Sequence, residues 1–225
     1  MGKITLIDFQ SELKIREFGD WKSNKFFFNT EKNLLLQYEV IKADKIYIWD
    51  INTGIQINEL IVDMNFKNAN FIKGTQDLVK ISYKNRTEIW NFKENKKVID
   101  FDKKNKYITG SNMHLSILND KELCILNRLD LDTIFKYSNV LNFDSNEKGN
   151  ILGIVWQEGS KNVASIIDLL EGNLQEIILN DKKNEPKKIT FLKNNKSIYV
   201  HVEKSSGSFK SYNQFEVFKF NNKIS

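Results

Sequence analysis

The sequence predicts an all-β fold built from repeated antiparallel sheets, and three observations support this. Short runs rich in β-branched and aromatic residues recur along the chain, as expected of strands. Intervals of 42, 41, 36, 41 and 51 residues separate their centres, a period typical of repeat architectures. Turn-forming Gly, Asn and Asp residues lie between the runs. The centres of the runs are Ile7, Trp49, Trp90, Leu126, Ile167 and Phe218.

The clearest copy of the repeat is KIYIWDINTG, residues 45–54. An apolar run ends at Trp49-Asp50, and Asn52-Thr53-Gly54 supplies a turn. The segment IQINEL (55–60) then begins a second extended run. This order predicts a strand–turn–strand hairpin.

The predicted strands fall into five consecutive units, of which the first four contain four strands each. The last unit has three predicted strands and lacks a fourth. Two further runs, ITLIDF (4–9) and LKIREF (13–18), precede the first unit. The units span approximately residues 25–60, 69–101, 106–137, 140–179 and 187–220.

Residues 162–179 are the strongest candidate for a helix, because their apolar residues also fit a helical period. Gly172-Asn173 interrupts this pattern where the first hairpin has Thr53-Gly54. The agreement with the other repeats favours two strands over one helix.

A four-stranded unit of about forty residues has two apolar faces and cannot bury both of them alone. Radial stacking covers these faces, so the period predicts a five-bladed β-propeller that forms a single domain over residues 1–225. We expect residues 13–18 to complete the last blade beside FEVFKF (215–220), since unpaired strand edges favour aggregation. Deletion of residues 1–18 would then lower stability. The alternative is an open arc that closes on another chain.

At the centres of its repeats, such as Trp49 and Trp90, the chain resembles the WD40 repeat family, and the resemblance covers essentially its whole length. Trp49-Asp50 and Trp90-Asn91 carry the resemblance, and no Gly-His dipeptide is present. The resemblance implies a propeller in which the apolar residues at this position pack between blades. We therefore expect Trp49→Ala to cost about 3–5 kcal/mol. Weaker copies of the motif are Leu126-Asn127, Ile167-Asp168 and Phe218-Lys219.

Composition restricts the possible environments and partners. The formal net charge is +5, but the lysines are dispersed among acidic residues and the chain has three arginines. This pattern fits a solvated surface better than a nucleic-acid site. Cys124 is the one cysteine, which favours a cytoplasmic location. The N-terminus does not fit a secretory signal, and no apolar run is long enough to predict a membrane span.

The sequence indicates no catalytic, metal or cofactor site. His114 and His201 are the two histidines, and they fall in different repeats. Cys124 lies within a predicted strand, where a buried small side chain is the simpler interpretation. Asp130 and Asp132 fall in a hairpin turn, where turn chemistry explains them. A five-bladed lectin and a propeller glycosidase with paired carboxylates remain open alternatives.

The connections between blades and the turns between second and third strands are expected on one face, which we call the loop face. Its lysines outnumber its acidic residues, and aromatic residues lie beside them. Aromatic anchors inside a charged rim are typical of interaction sites. EKSSGSFKSYN (203–213) is predicted to be its longest loop. The candidate partner-binding residues are Trp21, Lys42, Arg86, Lys103, Lys104, Lys182, Lys183, Phe209 and Lys210.

Together these observations predict a non-catalytic scaffold for protein–protein interaction. A rigid propeller presents loop residues with little ordering cost on binding. The positive loop face favours an acidic protein partner, with association that slows as salt rises.

Overall fold

Every regular element among the described residues is a β-strand. The computed structural model describes residues 2–7, 14–21, 24–29, 32–40, 44–102, 107–159, 161–172, 174–179, 184–192, 197–206 and 210–219. Their strands form one two-stranded, four four-stranded and one three-stranded antiparallel sheet. Each larger sheet is a meander whose strands follow chain order.

The N-terminal hairpin pairs β1 (Gly2–Ile7) with β2 (Lys14–Trp21). The first sheet contains β3 (Asn24–Asn29), β4 (Leu34–Glu39), β5 (Lys45–Asp50) and β6 (Gln56–Ile61). The second sheet contains β7 (Phe66–Phe71), β8 (Leu78–Tyr83), β9 (Thr87–Asn91) and β10 (Lys96–Phe101).

The third sheet contains β11 (Tyr107–Gly110), β12 (His114–Asn119), β13 (Glu122–Asn127) and β14 (Thr133–Tyr137). The fourth sheet contains β15 (Val140–Ser145), β16 (Ile151–Glu158), β17 (Lys161–Asp168) and β18 (Leu174–Leu179). The last sheet contains β19 (Asn184–Phe191), β20 (Ser197–Ser206) and β21 (Lys210–Lys219).

The chain divides into two compact units. Unit 1 comprises Met1–Phe71 and Gln76–Lys104, and unit 2 comprises Ile72–Thr75 and Asn105–Ser225. Unit 1 therefore contains the first and second sheets. Unit 2 contains the third, fourth and last sheets.

The core of unit 1 lies between the first and second sheets. Leu36, Ile48 and Ile81 are fully buried there, as alternate strand residues that face a partner sheet should be. Trp90 is partly buried against this core, and Trp49 is also partly buried. The two tryptophans of the repeated motif are thus less enclosed than the sequence predicts.

Unit 2 has two cores, one on each side of the fourth sheet. Leu123 and Ile125 of the third sheet pack with Ile154 and Ile167 of the fourth. On the opposite side, a second cluster joins the fourth sheet to Ile189, Phe191, Ile198 and Val200 of the last sheet. The fourth sheet is therefore apolar on both faces, which is what stacked sheets require.

The turns between third and fourth strands share one polar device. The Oδ1 atom of Asp50, Asn91, Asn127 or Asp168 accepts a backbone N–H from two or three residues further along the chain. This side-chain bond closes an Asx turn, which explains why the residue after the motif tryptophan or its replacement is Asp or Asn. Four residues later the backbone is left-handed, at Gly54, Asn95, Leu131 and Gly172.

Residues 162–179 form strands, as the repeat predicts. β17 pairs with β16 from Lys161 to Asp168 and with β18 through partners such as Ala164 and Ile177. Gly172 (φ 70°) makes the turn that a continuous helix would not contain.

Two predictions of the sequence are wrong. Residues 13–18 are predicted beside residues 215–220, whereas Lys14–Trp21 pairs with Gly2–Ile7 and the last sheet contains three described strands. Pairing with a neighbouring segment closes a short loop, which costs less entropy than a long-range contact. Residues 203–213 are predicted to be a long loop, but β20 and β21 extend into this segment and pair up to Ser206 and Lys210.

Candidate functional site

A groove of about 820 Å³ opens on the loop face of unit 1. One side is the end of β4 and the start of β5, and the other is the connection from β6 to β7. The Val62 N–H donates to the Asp44 carbonyl at 2.8 Å and fixes these two segments beside each other. The lining residues are Val40, Asp44, Val62, Asp63, Met64, Asn65 and Phe66.

The groove has exposed apolar walls above a rigid aromatic floor. Val40 is 52% exposed and Met64 is fully exposed. Phe66 lies edge-on to Tyr38, with ring centroids 4.8 Å apart, and edge-on to Tyr83 at 6.4 Å. Tyr38 and Tyr83 belong to the buried core, so the position of Phe66 is set by the fold. A partner side chain would meet a surface that is already formed.

Arg86 ties the groove to the second sheet. Its Nη2 lies 2.5 Å from Asp63 Oδ2, and its Nε donates to Glu88 Oε1 at 3.0 Å. The guanidinium carbon lies 4.0 Å above the centre of the Tyr83 ring, a cation–π contact. The Lys84 N–H donates to the Asn65 carbonyl at 3.0 Å and joins the same two segments.

The Glu88 carboxylate is the buried centre of this network. Besides Arg86, it accepts a hydrogen bond from Trp90 Nε1 at 2.8 Å. Lys97 Nζ lies 3.8 Å from its Oε1 atom and 2.6 Å from Asp100 Oδ2. A buried carboxylate needs such partners, because an uncompensated charge in the interior is costly. The network therefore supports the wall of the groove.

The network shifts the ionisation of three side chains. Burial alone would raise the pKa of Asp63, but hydrogen bonds from Arg86 and the Asn65 amide, with the Arg86 charge, hold it below its usual range. Hydrogen bonds to Asp63 and then to Glu88 raise the pKa of Arg86. Burial, followed by the Glu88 charge, raises the pKa of Tyr83. At neutral pH Asp63 and Arg86 are therefore charged and the Tyr83 phenol keeps its proton.

Arg86 is the one predicted site residue whose side chain the structure places beside the groove. Trp21 ends β2, paired with Gly2, and Lys210 begins β21, paired with Ser206. Lys42, Lys103, Lys104, Lys182, Lys183 and Phe209 lie outside the described residues.

Sequence reasoning did not single out Val40, Asp63 or Met64 as site residues. Their segment IVDMNF (61–66) does contain a usable signal, since apolar Met64 stands in a connection between strands. An apolar side chain in a connecting segment, away from the alternating strand pattern, is a reason to suspect an exposed contact.

Burial shifts the ionisation of one histidine and of the cysteine. Burial lowers the pKa of His114 and, with the Glu122 charge next, raises the pKa of the Cys124 thiol. Within the described ranges, no three His, Cys, Asp or Glu side chains are grouped as a metal would require. The same part of the chain contains no helix that is long and apolar enough to span a membrane.

Comparison with known proteins identifies the class of fold. No family model matches the sequence, and no curated protein matches it. Many solved structures do match, and they include WD40-type β-propellers. The chain therefore has the predicted all-β propeller fold, with its four four-stranded sheets and one three-stranded sheet as five blades.

Three of these structures illustrate the range of sequence identity, coverage and TM-score. Kluyveromyces lactis Hsv2 is 15% identical over 98% of this chain and 69% of its own, with a TM-score of 0.60. The β-propeller domain of Myceliophteria thermophila Cps50 (Swd1) is 12% identical over 97% and 77%, with a TM-score of 0.56. Kuenenia stuttgartiensis hydrazine synthase is 13% identical over 90% and 70%, with a TM-score of 0.50. At such identities the likeness establishes the fold alone.

Proposed function

We propose that the chain is a non-catalytic scaffold whose loop face binds a protein partner. The observation that carries this proposal is the groove beside Arg86, which combines exposed apolar side chains with a pre-formed floor. Propellers of the WD40 type commonly serve as interaction scaffolds, which supports the same assignment.

The groove suits an apolar side chain of the partner. Val40 and Met64 supply apolar surface, and Phe66 closes the base. Because backbone hydrogen bonds and the Arg86–Asp63 pair hold the walls, little conformational entropy is lost on binding. A methionine at such a surface also adapts to partners of different shape.

We further propose that the partner is acidic. This part of the proposal rests on the lysines of the loop face, chiefly Lys42, Lys103, Lys104, Lys182 and Lys183. Arg86 contributes less than the sequence suggests, since Asp63 and Glu88 already neutralise it. The groove itself contains Asp44 and Asp63, so the attraction is assigned to the lysines that the sequence predicts on the loop face.

The non-catalytic part of the proposal is supported by the environments of the two best candidate nucleophile and base residues. Burial lowers the pKa of His114, which favours its neutral form, and raises the pKa of Cys124, which disfavours the reactive thiolate. A cytoplasmic location, expected from the single cysteine, belongs to the same proposal.

Affinity purification from the native host, followed by mass spectrometry, would supply the partner for a quantitative test. We expect Met64→Ser to weaken binding about tenfold, because it removes an exposed apolar side chain that lines the groove. Ile57→Ser, an exposed substitution on the outer strand β6 of the same sheet, is the matched control. Equal affinities for wild type, Met64→Ser and Ile57→Ser would contradict the groove assignment.

The charge of the partner is tested separately with Lys103→Gln, Lys104→Gln, Lys182→Gln and Lys183→Gln combined in one variant. An acidic partner should associate more slowly with this variant and with the wild type at high salt. Salt-independent association would refute the acidic partner and would not affect the proposal that the groove binds a partner. A specific glycan-array signal or hydrolytic turnover of a glycoside would overturn the scaffold in favour of a lectin or a glycosidase.

A further inference from the structure

The turn between β13 and β14, residues 127–132, exposes an apolar side chain at its tip. Leu129 is 94% exposed, although it lies between residues that are well ordered by hydrogen bonds. The Arg128 N–H donates to the Met113 carbonyl at 2.8 Å, which places the neighbouring turn of the third sheet beside it. Met113 is itself 59% exposed. Large apolar side chains grouped at the surface indicate an interaction site more often than scattered ones do.

The fourth sheet repeats this arrangement. Leu170 occupies the position in its turn that Leu129 occupies in the third sheet, two residues after the Asx residue, and it is 57% exposed. The same position is polar in the first and second sheets, where Asn52 and Lys93 stand. The third and fourth sheets share a core, and each leucine lies in the turn between the third and fourth strands of its sheet. We call Met113, Leu129 and Leu170 the leucine surface.

The 127–132 turn is rigid. Asn127 accepts the Leu129 N–H on its side chain and the Leu131 N–H on its carbonyl, both at 2.9 Å. The Asp132 N–H donates to Asp130 Oδ1 at 3.0 Å, and the Asp132 carbonyl accepts the Asn127 N–H at 2.9 Å. A side chain held on such a turn loses little freedom when it is bound.

The turn also contains a leucine with an unfavourable left-handed backbone, where the equivalent turns have glycine or asparagine. Leu131 has φ 65°, whereas Gly54, Asn95 and Gly172 stand at the same point of the other turns. A left-handed backbone is unfavourable for leucine, and glycine and asparagine tolerate it better. Such strained residues concentrate where a specific shape is used.

An acidic residue follows each of the two leucines in sequence. Asp130 and Asp132 are exposed on either side of Leu131, and Glu171 follows Leu170 and is also exposed. Arg128 is turned back toward the protein, with Nη1 3.5 Å from the Ser111 carbonyl. The apolar tips are therefore edged by carboxylates, which a partner with basic residues would complement.

We propose that the leucine surface docks a protein segment whose apolar face is edged by lysine or arginine, such as a basic amphipathic helix. Within unit 2, this site lies at the end of the third sheet opposite the 120–121 turn, so it is separate from the loop face. The leucines enter the apolar face of the segment, and Asp130, Asp132 and Glu171 pair with its basic edges. The proposal does not depend on the function proposed for the loop face.

The probe for the test is a synthetic amphipathic helical peptide of leucine and lysine, with a leucine–glutamate peptide of equal length as its control. Methyl-labelled protein is titrated with each peptide and followed by NMR. We expect saturable shifts confined to the methyl groups of Met113, Leu129 and Leu170 with the lysine peptide, and none with the glutamate peptide. Shifts of equal size with both peptides, or shifts confined to other methyl groups, would overturn the proposal.

Variants distinguish specific docking of the peptide from non-specific binding. Leu129→Ser should weaken binding of the lysine peptide about tenfold, and Asp130→Asn with Asp132→Asn should reduce its salt dependence. Ile134→Ser, a partly exposed substitution on β14, should leave the affinity unchanged. Sedimentation of each variant is the second measurement. A concentration-dependent oligomer of the wild type that Leu129→Ser abolishes would assign the surface to a second copy of the chain and refute the peptide site.

Discussion

Arg86 is the residue at which the sequence and the structure assign different roles. A lysine-rich loop face suggests an arginine that reaches toward a partner, but Asp63, Glu88 and the Tyr83 ring all hold this side chain. Its contribution is then to keep the wall of the groove in place. The distinction is chemical, because a guanidinium that already donates to two carboxylates has fewer donors left for a third.

The ionisation of Asp63 tests this role directly. Arg86→Gln should raise the pKa of Asp63, since it removes the hydrogen bond and positive charge that lower it and leaves the effect of burial. Carbon-detected NMR of the Asp63 carboxyl group measures the change. Lys97→Gln is the control, because Lys97 contacts Glu88 and Asp100 rather than Asp63.

The sign of the pH dependence follows from the same shift. Because folding lowers the pKa of Asp63, its ion pair stabilises the protein above the usual value of 3.8 and this stabilisation is lost as pH falls further. The effect is small, since the Asp63 side chain is 42% exposed and surface pairs are screened. An Asp63 pKa that is equal in wild type and Arg86→Gln would show that the pair does not persist in solution.

At the scale of elements, side chains join strands that share no backbone pairing. β15 and β19 belong to different sheets, yet Asn142 Oδ1 accepts the Ile189 N–H at 3.2 Å and Asp144 Oδ2 accepts the Phe191 N–H at 3.1 Å. Asp144 also pairs with Lys73, 2.9 Å from its Oδ1 atom. Polar side chains here satisfy backbone donors that a neighbouring strand would satisfy inside a sheet.

Asp144→Ala should lower the free energy of unfolding by about 1–3 kcal/mol, because it removes the carboxylate that accepts the Phe191 N–H. Lys73→Met removes the exposed ion pair and keeps that acceptor, so it should cost less than about 1 kcal/mol. Urea denaturation gives both values, and hydrogen exchange at the Phe191 amide should accelerate in the alanine variant alone. Similar losses in the two variants would mean that the ion pair, and not the amide bond, joins these strands.

The elements themselves follow closely from local sequence. Asp50, Asn91, Asn127 and Asp168 each close a turn through their own side chains, so the Asp or Asn after the motif residue is a local signal of the hairpin. The segment 203–213 misled the prediction because its serines and lysines resemble a loop. Two adjacent strands can pair over such residues, since a hairpin needs only a short connection and backbone hydrogen bonds.

At the scale of the whole molecule, close packing of distant turns limits which residues are accepted. In unit 2 the Gly110 carbonyl lies very close to Gly149 and Gly74. A Cβ atom added to Gly149 would be 1.6 Å from the Gly110 oxygen, and one added to Gly74 would be 1.9 Å from it. Two turns and the end of β11, which are far apart in sequence, therefore meet at a point with no room for a methyl group.

Gly149→Ala and Gly172→Ala form a matched pair, because both glycines have φ 70°. Around Gly172 no atom lies within 4 Å of the added methyl, so we expect a loss of about 1–2 kcal/mol from the backbone alone. Gly149→Ala adds a steric clash with the Gly110 carbonyl and should cost about 3 kcal/mol or more in total. Thermal or urea unfolding measures both, and equal losses would argue against the close approach of these turns.

The sequence by itself determined the kind and the repetition of the elements. Alternating apolar residues, a period near forty residues and Asx turns act over a few neighbouring residues, so they can be recognised without coordinates. The tertiary structure alone decided that β2 pairs with β1, that Asp63 and Glu88 hold Arg86, and that Val40 and Met64 line one groove. These features depend on contacts between separate segments, and packing geometry selects them from many partners of similar local chemistry.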